Sequence, residues 1–346
     1  MKYCTGSIIF AVLAILSAFF WSEHIKAGSG LTAIFIVLVL SVLEISLSFD
    51  NAVINAAKLE KMTPKWQQRF LTWGILIAVF GMRFVFPILI VSIFAHIDFL
   101  SVINIALNDA DKYAHYLHIS HPFVITFGGA FLMMLFLTYF FNSEKEIHWI
   151  KPIESKMAYL SNFRGLNTAI VLILIYLTQH FAFQENRLEI VISGIFGIIT
   201  YILIDGFANL LEKHSEKREE NCNLPNLSLK NSCLINFLYL ELIDASFSLD
   251  GVLGAFALSK DIVVIALGLS IGAMFVRSMT IMLVQKKTLN EYIYLEQGAH
   301  WAIGALALIM FASANWHISE IITGLIGLIF ILSAFISSVR ENKLKK

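Results

Sequence analysis

Apolar residues run along this 346-residue chain in ten long stretches, at 7–22, 31–57, 70–94, 122–141, 167–183, 188–211, 231–258, 262–284, 299–313 and 318–339. Each is close to the roughly 20 residues that an α-helix needs to cross a bilayer. Short polar segments separate them, and no run shows the period-two alternation of a strand. The pattern predicts an all-α polytopic membrane protein of about ten transmembrane helices. One stretch breaks it. "LEISLSFDNAV", Leu43 to Val53, lies inside the second apolar run yet carries Glu44, Ser46, Ser48, Asp50 and Asn51. At 100° per residue, a regular helix would set Glu44 near Ser48 and Ser46 near Asp50, on nearly opposite faces. Only an interrupted helix could bring them all to one place. Interrupted backbone is tolerated at membrane depth where it lines a cavity or a binding site.

The stretch has a partner. "DASFSLDGVL", from Asp244 to Leu253, sets Asp244, Ser246, Ser248 and Asp250 over Glu44, Ser46, Ser48 and Asp50, with Gly251 in place of Asn51. The following runs match too: "GILIAVFGMR" ends at Arg83 and "GLSIGAMFVR" at Arg277. Then come "GAFLMMLF" from Gly129 and "GALALIMF" from Gly304. Three consecutive runs correspond in order, which predicts a duplication of five helices. Residues 1–187 form the first repeat, with motif helix 31–57. Residues 188–346 form the second, with motif helix 231–258. The segment 212–230 is a cytoplasmic linker. An odd number of spans per repeat inverts the halves. Inverted repeats whose interrupted helices meet near the midplane belong to secondary transporters.

Composition and charge agree with a membrane location. Hydrophobic residues make up 58% and charged residues 14%, against about 25% charged in soluble domains. Lysine and arginine mark the cytoplasmic side. With the N-terminus inside, the outer segments hold only Lys26, Lys112, Arg187 and Lys260 among the 25 basic residues, and Arg83 and Arg277 lie within spans. Both termini are therefore expected in the cytoplasm. Residues 7–22 read as a first span rather than a signal peptide, because no small-residue cleavage site follows closely. The formal net charge of +0 and the lack of a basic tract give no sign of nucleic-acid binding. Cys4, Cys222 and Cys233 have neither metal-site nor disulfide spacing and read as free thiols.

The candidate chemistry is oxygen-rich. Glu44, Asp50, Asp244 and Asp250 supply carboxylates, and Ser48, Asn51 and Ser248 supply neutral oxygens. Ser46, Ser246 and Glu241 are candidates to join them. No histidine or cysteine sits in either motif, so the donor set suits Mn²⁺, Mg²⁺ or Ca²⁺ better than Zn²⁺ or Cu⁺. A charge at the bilayer centre costs about 2.5–3.5 kcal/mol on insertion scales, so the carboxylates need a positive partner. Arg83 and Arg277 are the partners within the chain, either as counter-ions in one state of a transport cycle or as static ion pairs. His115, His118 and His121 with Asp109 and Asp111 read as an ordinary outer loop, and His180 and His300 as packing residues.

The two motifs resemble the paired acidic motifs of TerC-type integral membrane proteins, over about 31–339, within the branch catalogued as a domain of unknown function. That family is linked by name to tellurium resistance, is placed near the lysine-exporter superfamily, and includes proteins regarded as manganese exporters. The resemblance implies a LysE/TerC-like fold and metal efflux across a bacterial inner membrane. Glu44, Asp50, Asn51, Asp244 and Asp250 stand where the family's acidic and amide residues stand, and Gly251 departs from its pattern. The expected function is export of a divalent cation, Mn²⁺ first, with protons as a counter-ion, in a lipid bilayer, without enzymatic activity and without a resident cofactor. A membrane scaffold for metal loading or stress resistance is the alternative. An intramembrane aspartyl protease fits less well, because it gives no reason for duplicated serines.

Overall fold

The computed structural model describes residues 5–344 apart from 26, 61, 95, 144, 146, 164, 183, 220–233, 235, 245–254, 256–257, 260, 317 and 319. Its elements are helices, with no strand among the described residues. They are α1 (Thr5–Ile25), α2 (Gly30–Leu47), α3 (Phe49–Glu60), α4 (Pro64–Arg69), two π-helical stretches (Phe70–Gly74 and Ile77–Val85), α5 (Phe86–Phe94), α6 (Phe99–Asn108), α7 (Ala110–Phe140), α8 (Lys151–Tyr159), α9 (Leu166–Phe181) and α10 (Arg187–Glu219). A short helix α11 at 236–244 follows. The last four are α12 (Ile262–Gln285), α13 (Thr288–Glu291), α14 (Leu295–Ser313) and α15 (Glu320–Leu344).

This is an all-α multi-pass membrane protein. Among the described residues, six helices are long and apolar enough by themselves to cross a membrane, and up to eight spans result if each of two bent pairs is one span. α9, at 16 residues, is shorter, and most of the expected run 231–258 lies outside the described residues. Large apolar side chains face outward on the peripheral helices: Leu13, Phe20, Phe35, Phe196 and Ile329 are all more than half exposed. Contiguous apolar surface on this scale suits a lipid environment.

The interior is assembled from small-residue contacts. α12 lies against α1, α2 and α3, while α7 lies between α10 and α14, and α15 covers α14 and α2. The largest apolar core gathers Phe131, Met134 and Phe140 of α7, Ile198 and Tyr201 of α10, and Ala299, Ile303 and Phe311 of α14. α1 is fastened by Ser7, whose hydroxyl donates to the Met274 carbonyl at 2.9 Å and meets the Ser278 hydroxyl at 2.7 Å.

Two expected boundaries are corrected. The segment before residue 122, expected as a loop, is helical. Asp98 caps α6 by accepting from the Leu100 N–H, and Asp109 caps α7 by accepting from the Lys112 N–H, each at 3.1 Å. Tyr113 and Leu117, one turn apart, then seat the start of α7 in a second apolar cluster. α10 carries on to Glu219, through the first residues of the expected linker.

The second expected span is broken where its polar residues sit. Gly30–Ser46 and Phe49–Glu60 meet at a bend of 51°. The hydroxyls of Ser41 and Ser46 each donate to the carbonyl four residues back, at 2.6 and 2.9 Å, a bond that bends helices. Asp50 then stands in the first turn of α3 and accepts from the Asn51 N–H at 2.9 Å. A carboxylate there favours starting a new helix, because the helix N-terminus carries partial positive charge. The third expected span is bent as well, by 44° between Pro64–Gly74 and Ile77–Ile93. Its π-helical stretches are a feature that apolar periodicity does not reveal.

Candidate functional site

The bend after Leu47 turns Glu44 and Ser48 inward. Glu44 is 3% exposed, and one of its oxygens takes two donors. Arg83 Nη2 stands at 2.5 Å and Ser48 Oγ at 3.0 Å from Glu44 Oε1. Arg83 also donates through Nη1 to the Ala78 carbonyl at 2.7 Å. That carbonyl belongs to the π-helical stretch that carries Arg83 itself. Glu44 has room because α12 presents Gly272, where a Cβ would overlap the Glu44 side chain.

A second array faces the first. Arg277 Nη2 lies 3.1 Å from both oxygens of Glu241 and 2.5 Å from Asp244 Oδ2. Its Nη1 donates to the Phe70 carbonyl at 3.2 Å, and the guanidinium sits 4.1 Å from the Phe70 ring centre. Gly74 leaves space for this group, since a Cβ there would overlap Arg277 and approach Glu241. Asp244 Oδ1 is held from the first motif: Asn51 Nδ2 donates to it at 2.5 Å and Asn55 Nδ2 at 2.9 Å. Residues almost two hundred apart in sequence thus share one carboxylate.

Between the arrays lies a cavity of about 20 Å³, roughly the space of one water. Glu44, Ser48, Asn51 and Asp244 line it, with both guanidiniums and the small side chains Ala78 and Ala273. Among the described residues here, the three carboxylates of Glu44, Glu241 and Asp244 outnumber the two guanidiniums, and all five residues are buried. Asn51 Oδ1, Asn55 Oδ1, Arg83 Nε and Arg277 Nε are buried without a hydrogen-bond partner among the described residues. Among the described residues, no three His, Cys, Asp or Glu side chains are grouped to hold a metal ion. The guanidiniums hold the carboxylate oxygens instead.

The structure distributes the expected site residues unevenly. Glu44, Ser48, Asn51 and Asp244 come together with Arg83 and Arg277, and Glu241 joins through Arg277. Asp50 is buried beside them in sequence, but its Oδ2 faces Gly327 of α15, 3.5 Å from where a Cβ would be. Ser46 is exposed and bonded to its own helix, so it does not reach the cavity. Ser246, Ser248, Asp250 and Gly251 lie outside the described residues, as do the three cysteines. Asn55 and the carbonyls of Phe70 and Ala78 were absent from the sequence-based expectation. An asparagine one turn after Asn51, inside an apolar helix, was the available signal for Asn55.

Contacts between the repeated segments are reciprocal. Gly74 and Gly268 occupy matched positions, as do residues 41 and 241. Gly74 abuts Glu241, while Gly268 abuts Leu40 and accepts at its carbonyl from Ser41 Oγ at 3.0 Å. Gly129 is matched to Gly304 and Phe136 to Phe311. A Cβ at Gly304 would come within 2.5 Å of the Phe136 ring, and one at Gly129 within 3.6 Å of the Phe311 ring. Pairs of the form i to j′ and i′ to j are what a two-fold relation produces.

A separate polar cluster closes the C-terminal end of α7. Glu154 of α8, 0% exposed, accepts from Lys145 Nζ at 3.2 Å, from the Trp149 and Ile150 N–H groups at 3.1 Å each, and from Trp301 Nε1 of α14 at 3.0 Å. Burial raises its pKa, but the donors outweigh it and hold the carboxyl below the ordinary glutamate value. Burial pulls Lys145 below the ordinary lysine value, with Glu154 opposing. Lys145 also lies over the rings of Tyr139 and Phe140, 4.3 and 4.1 Å from their centres. His300 is buried and stacked on Tyr139, and His180 stacks on Tyr176, which gives both histidines packing contacts.

The chain belongs to the family described as "Protein of unknown function (DUF475)", which matches residues 49–345. That range takes in α3, the second motif and both arginines. No curated protein and no solved structure matches the chain.

Proposed function

We propose that this member of the DUF475 family is a secondary transporter that exports a divalent cation, with Mn²⁺ the first candidate. One observation carries the reading. Both acidic motifs contribute to one buried cavity, where Asn51 of the first, with Asn55 one turn beyond the motif, holds Asp244 of the second, which Arg277 also binds. The oxygen donors suit a hard cation. The reciprocal glycine contacts support the inverted arrangement of 1–187 and 188–346 expected from the repeat. The resemblance to TerC-type proteins supports metal efflux, here across a bacterial inner membrane with both termini in the cytoplasm.

The arginines give the reading a physical cycle. A guanidinium and a metal cation compete for the same carboxylate oxygens. When cargo binds, Arg83 leaves Glu44 and Arg277 leaves Asp244. Each keeps a backbone carbonyl, of Ala78 and of Phe70, so neither is stranded without an acceptor. When cargo departs, the guanidiniums return and neutralise the carboxylates, which otherwise face a large desolvation cost. Protons on the carboxylates serve the same end and couple the cycle to a proton gradient.

The test is the metal content of cells expressing the protein and challenged in turn with Mn²⁺, Mg²⁺, Ca²⁺ and Zn²⁺. Lower Mn²⁺ accumulation with wild type, lost in Asp244→Asn and Asp50→Asn at equal membrane abundance, is the expected result. Equal accumulation with wild type and both variants for every metal overturns transport and favours a scaffold.

A further inference from the structure

Asn55 enters the site by the same geometry as Asn51, yet it lies outside the motif. The two stand one turn apart on one face of α3, and both spend their amide N–H groups on a single oxygen, Asp244 Oδ1. Their exposures are 4% and 1%. Each is thereby left with a carbonyl oxygen, Oδ1, buried and unpartnered. An unsatisfied buried acceptor is costly, and two on one helix face require an explanation. Water in the neighbouring cavity meets at most part of this need, because Asn51 lines that space and Asn55 does not.

No arginine donor meets the pair: the Nη groups are committed elsewhere, and the Nε groups of Arg83 and Arg277 are themselves unpaired and make no bond to either amide. Arg277 Nη2 is on Glu241 and Asp244, its Nη1 is on Phe70, and Arg83 is on Glu44 and Ala78. What matches two amide oxygens beside a carboxylate is a hard cation, which takes neutral carbonyl oxygens together with carboxylates. We propose that Asn55, with Asn51, is a ligand of the transported cation through its amide oxygen, and that this pair sets the preference for hard over soft metals. The proposal rests on the transport reading above and deepens it. With cargo bound, Arg277 withdraws from Asp244, and the freed carboxylate together with Asn51 Oδ1 and Asn55 Oδ1 forms one side of the site. Glu44 forms the other. With cargo absent, the amides turn their N–H groups to Asp244 and hold its charge, which is the arrangement seen here. One residue pair thus serves both states by presenting opposite ends of its amide group.

The experiment measures binding of Mn²⁺ and Cd²⁺ to purified full-length protein in detergent by equilibrium dialysis, for wild type, Asn55→Cys and Asn55→Asp. A thiolate at a ligand position favours the softer metal. The expected result is that wild type binds Mn²⁺ and that Asn55→Cys raises the Cd²⁺ to Mn²⁺ affinity ratio at least tenfold. Asn55→Asp, which keeps an oxygen and adds charge, binds Mn²⁺ more tightly than wild type. A residue that only donated to Asp244 would leave the metal ratio unchanged in Asn55→Cys. In Asn55→Asp it would weaken binding through like-charge repulsion. If wild type binds Mn²⁺ and Asn55→Cys leaves the ratio within twofold, the role of Asn55 is overturned while transport stands. If wild type binds neither metal, the transport reading itself falls. Should Asn55→Cys fail to fold, unchanged or weaker Mn²⁺ binding by Asn55→Asp overturns the proposal.

Discussion

Glu44 and Arg83 show how strongly a single buried pair constrains its surroundings. Both side chains are almost fully enclosed, at 3% and 6% exposure for the two residues, and Arg83 has no other carboxylate among its hydrogen bonds. Removing one member of such a pair leaves a buried charge without its counterpart, at about 3–5 kcal/mol. Replacing both by apolar groups of similar size is far milder. Glu44→Gln is therefore expected to lower the thermal unfolding midpoint in detergent sharply, and Glu44→Gln combined with Arg83→Met to recover most of the loss. Equal midpoints for the single and double variants would show that the pair does not couple the two residues. The residues of this array were legible in the sequence, because a carboxylate and an arginine inside apolar runs need each other. Asn55 was not. A lone amide in a helix has many uses, and only its distance to Asp244 and its orphaned oxygen set it apart.

At the scale of elements, close approach depends on missing side chains. α12 can touch α2 only because Gly268 and Gly272 face Leu40 and Glu44. Gly272→Val would drive a side chain into Glu44, and overpacking of this kind costs about 1–3 kcal/mol. The expected outcome is a loss of stability and of Mn²⁺ binding together, read by thermal unfolding and equilibrium dialysis. Gly206, where a Cβ meets nothing within 4 Å, is the control, and Gly206→Ala should change neither measurement. The break between α2 and α3 was legible as a demand, since the spacing of Glu44, Ser48 and Asp50 cannot serve one helix face. Its form was not: a 51° bend keeps Asp50 on a different side from Glu44. The π-helical turns escaped notice because periodicity averages over the one extra residue that each of them inserts.

The loop between α7 and α9 belongs to the same scale and makes a pH-dependent prediction. Glu154 titrates below the ordinary glutamate value in the folded protein. Its contribution is therefore present above that ordinary value and is lost as the pH falls through the lower, folded one. Glu154→Gln should cost about 1.5–3 kcal/mol at neutral pH through weaker hydrogen bonds to a neutral group. The gap between wild type and variant should stay level from pH 7 to pH 5, then close in stronger acid. Unfolding midpoints measured across that range check it, and a gap that closes above pH 5 would contradict the shift. Nothing in the spacing of this segment pointed to Glu154. Its donors come from three places in the chain, Lys145, the Trp149–Ile150 backbone and Trp301, and only folding collects them.

At the scale of the whole molecule, the question is whether the two halves are inverted. Sequence alone brought out the repeat, because matched residues recur in order across three consecutive runs. It could not show contact between the halves, which depends on packing. The reciprocal pairs Gly74–Glu241 with Gly268–Ser41, and Gly304–Phe136 with Gly129–Phe311, now supply that contact. A two-fold axis in the membrane plane has a direct consequence, since matched loops must lie on opposite sides of the bilayer. The segment after α3 carries Lys65, in α4, and the matched segment after the second motif carries Ser259. In a background without the three native cysteines, Lys65→Cys and Ser259→Cys in intact cells should react differently with a membrane-impermeant maleimide. Ser259→Cys is expected to label from outside, and Lys65→Cys only after the membrane is permeabilised. Labelling of both from the same side would mean that the halves run parallel, and the reciprocal contacts would then need an axis along the membrane normal. The lysines and arginines favour the first outcome, because the loop at 58–69 is basic while that at 259–261 holds Lys260 alone.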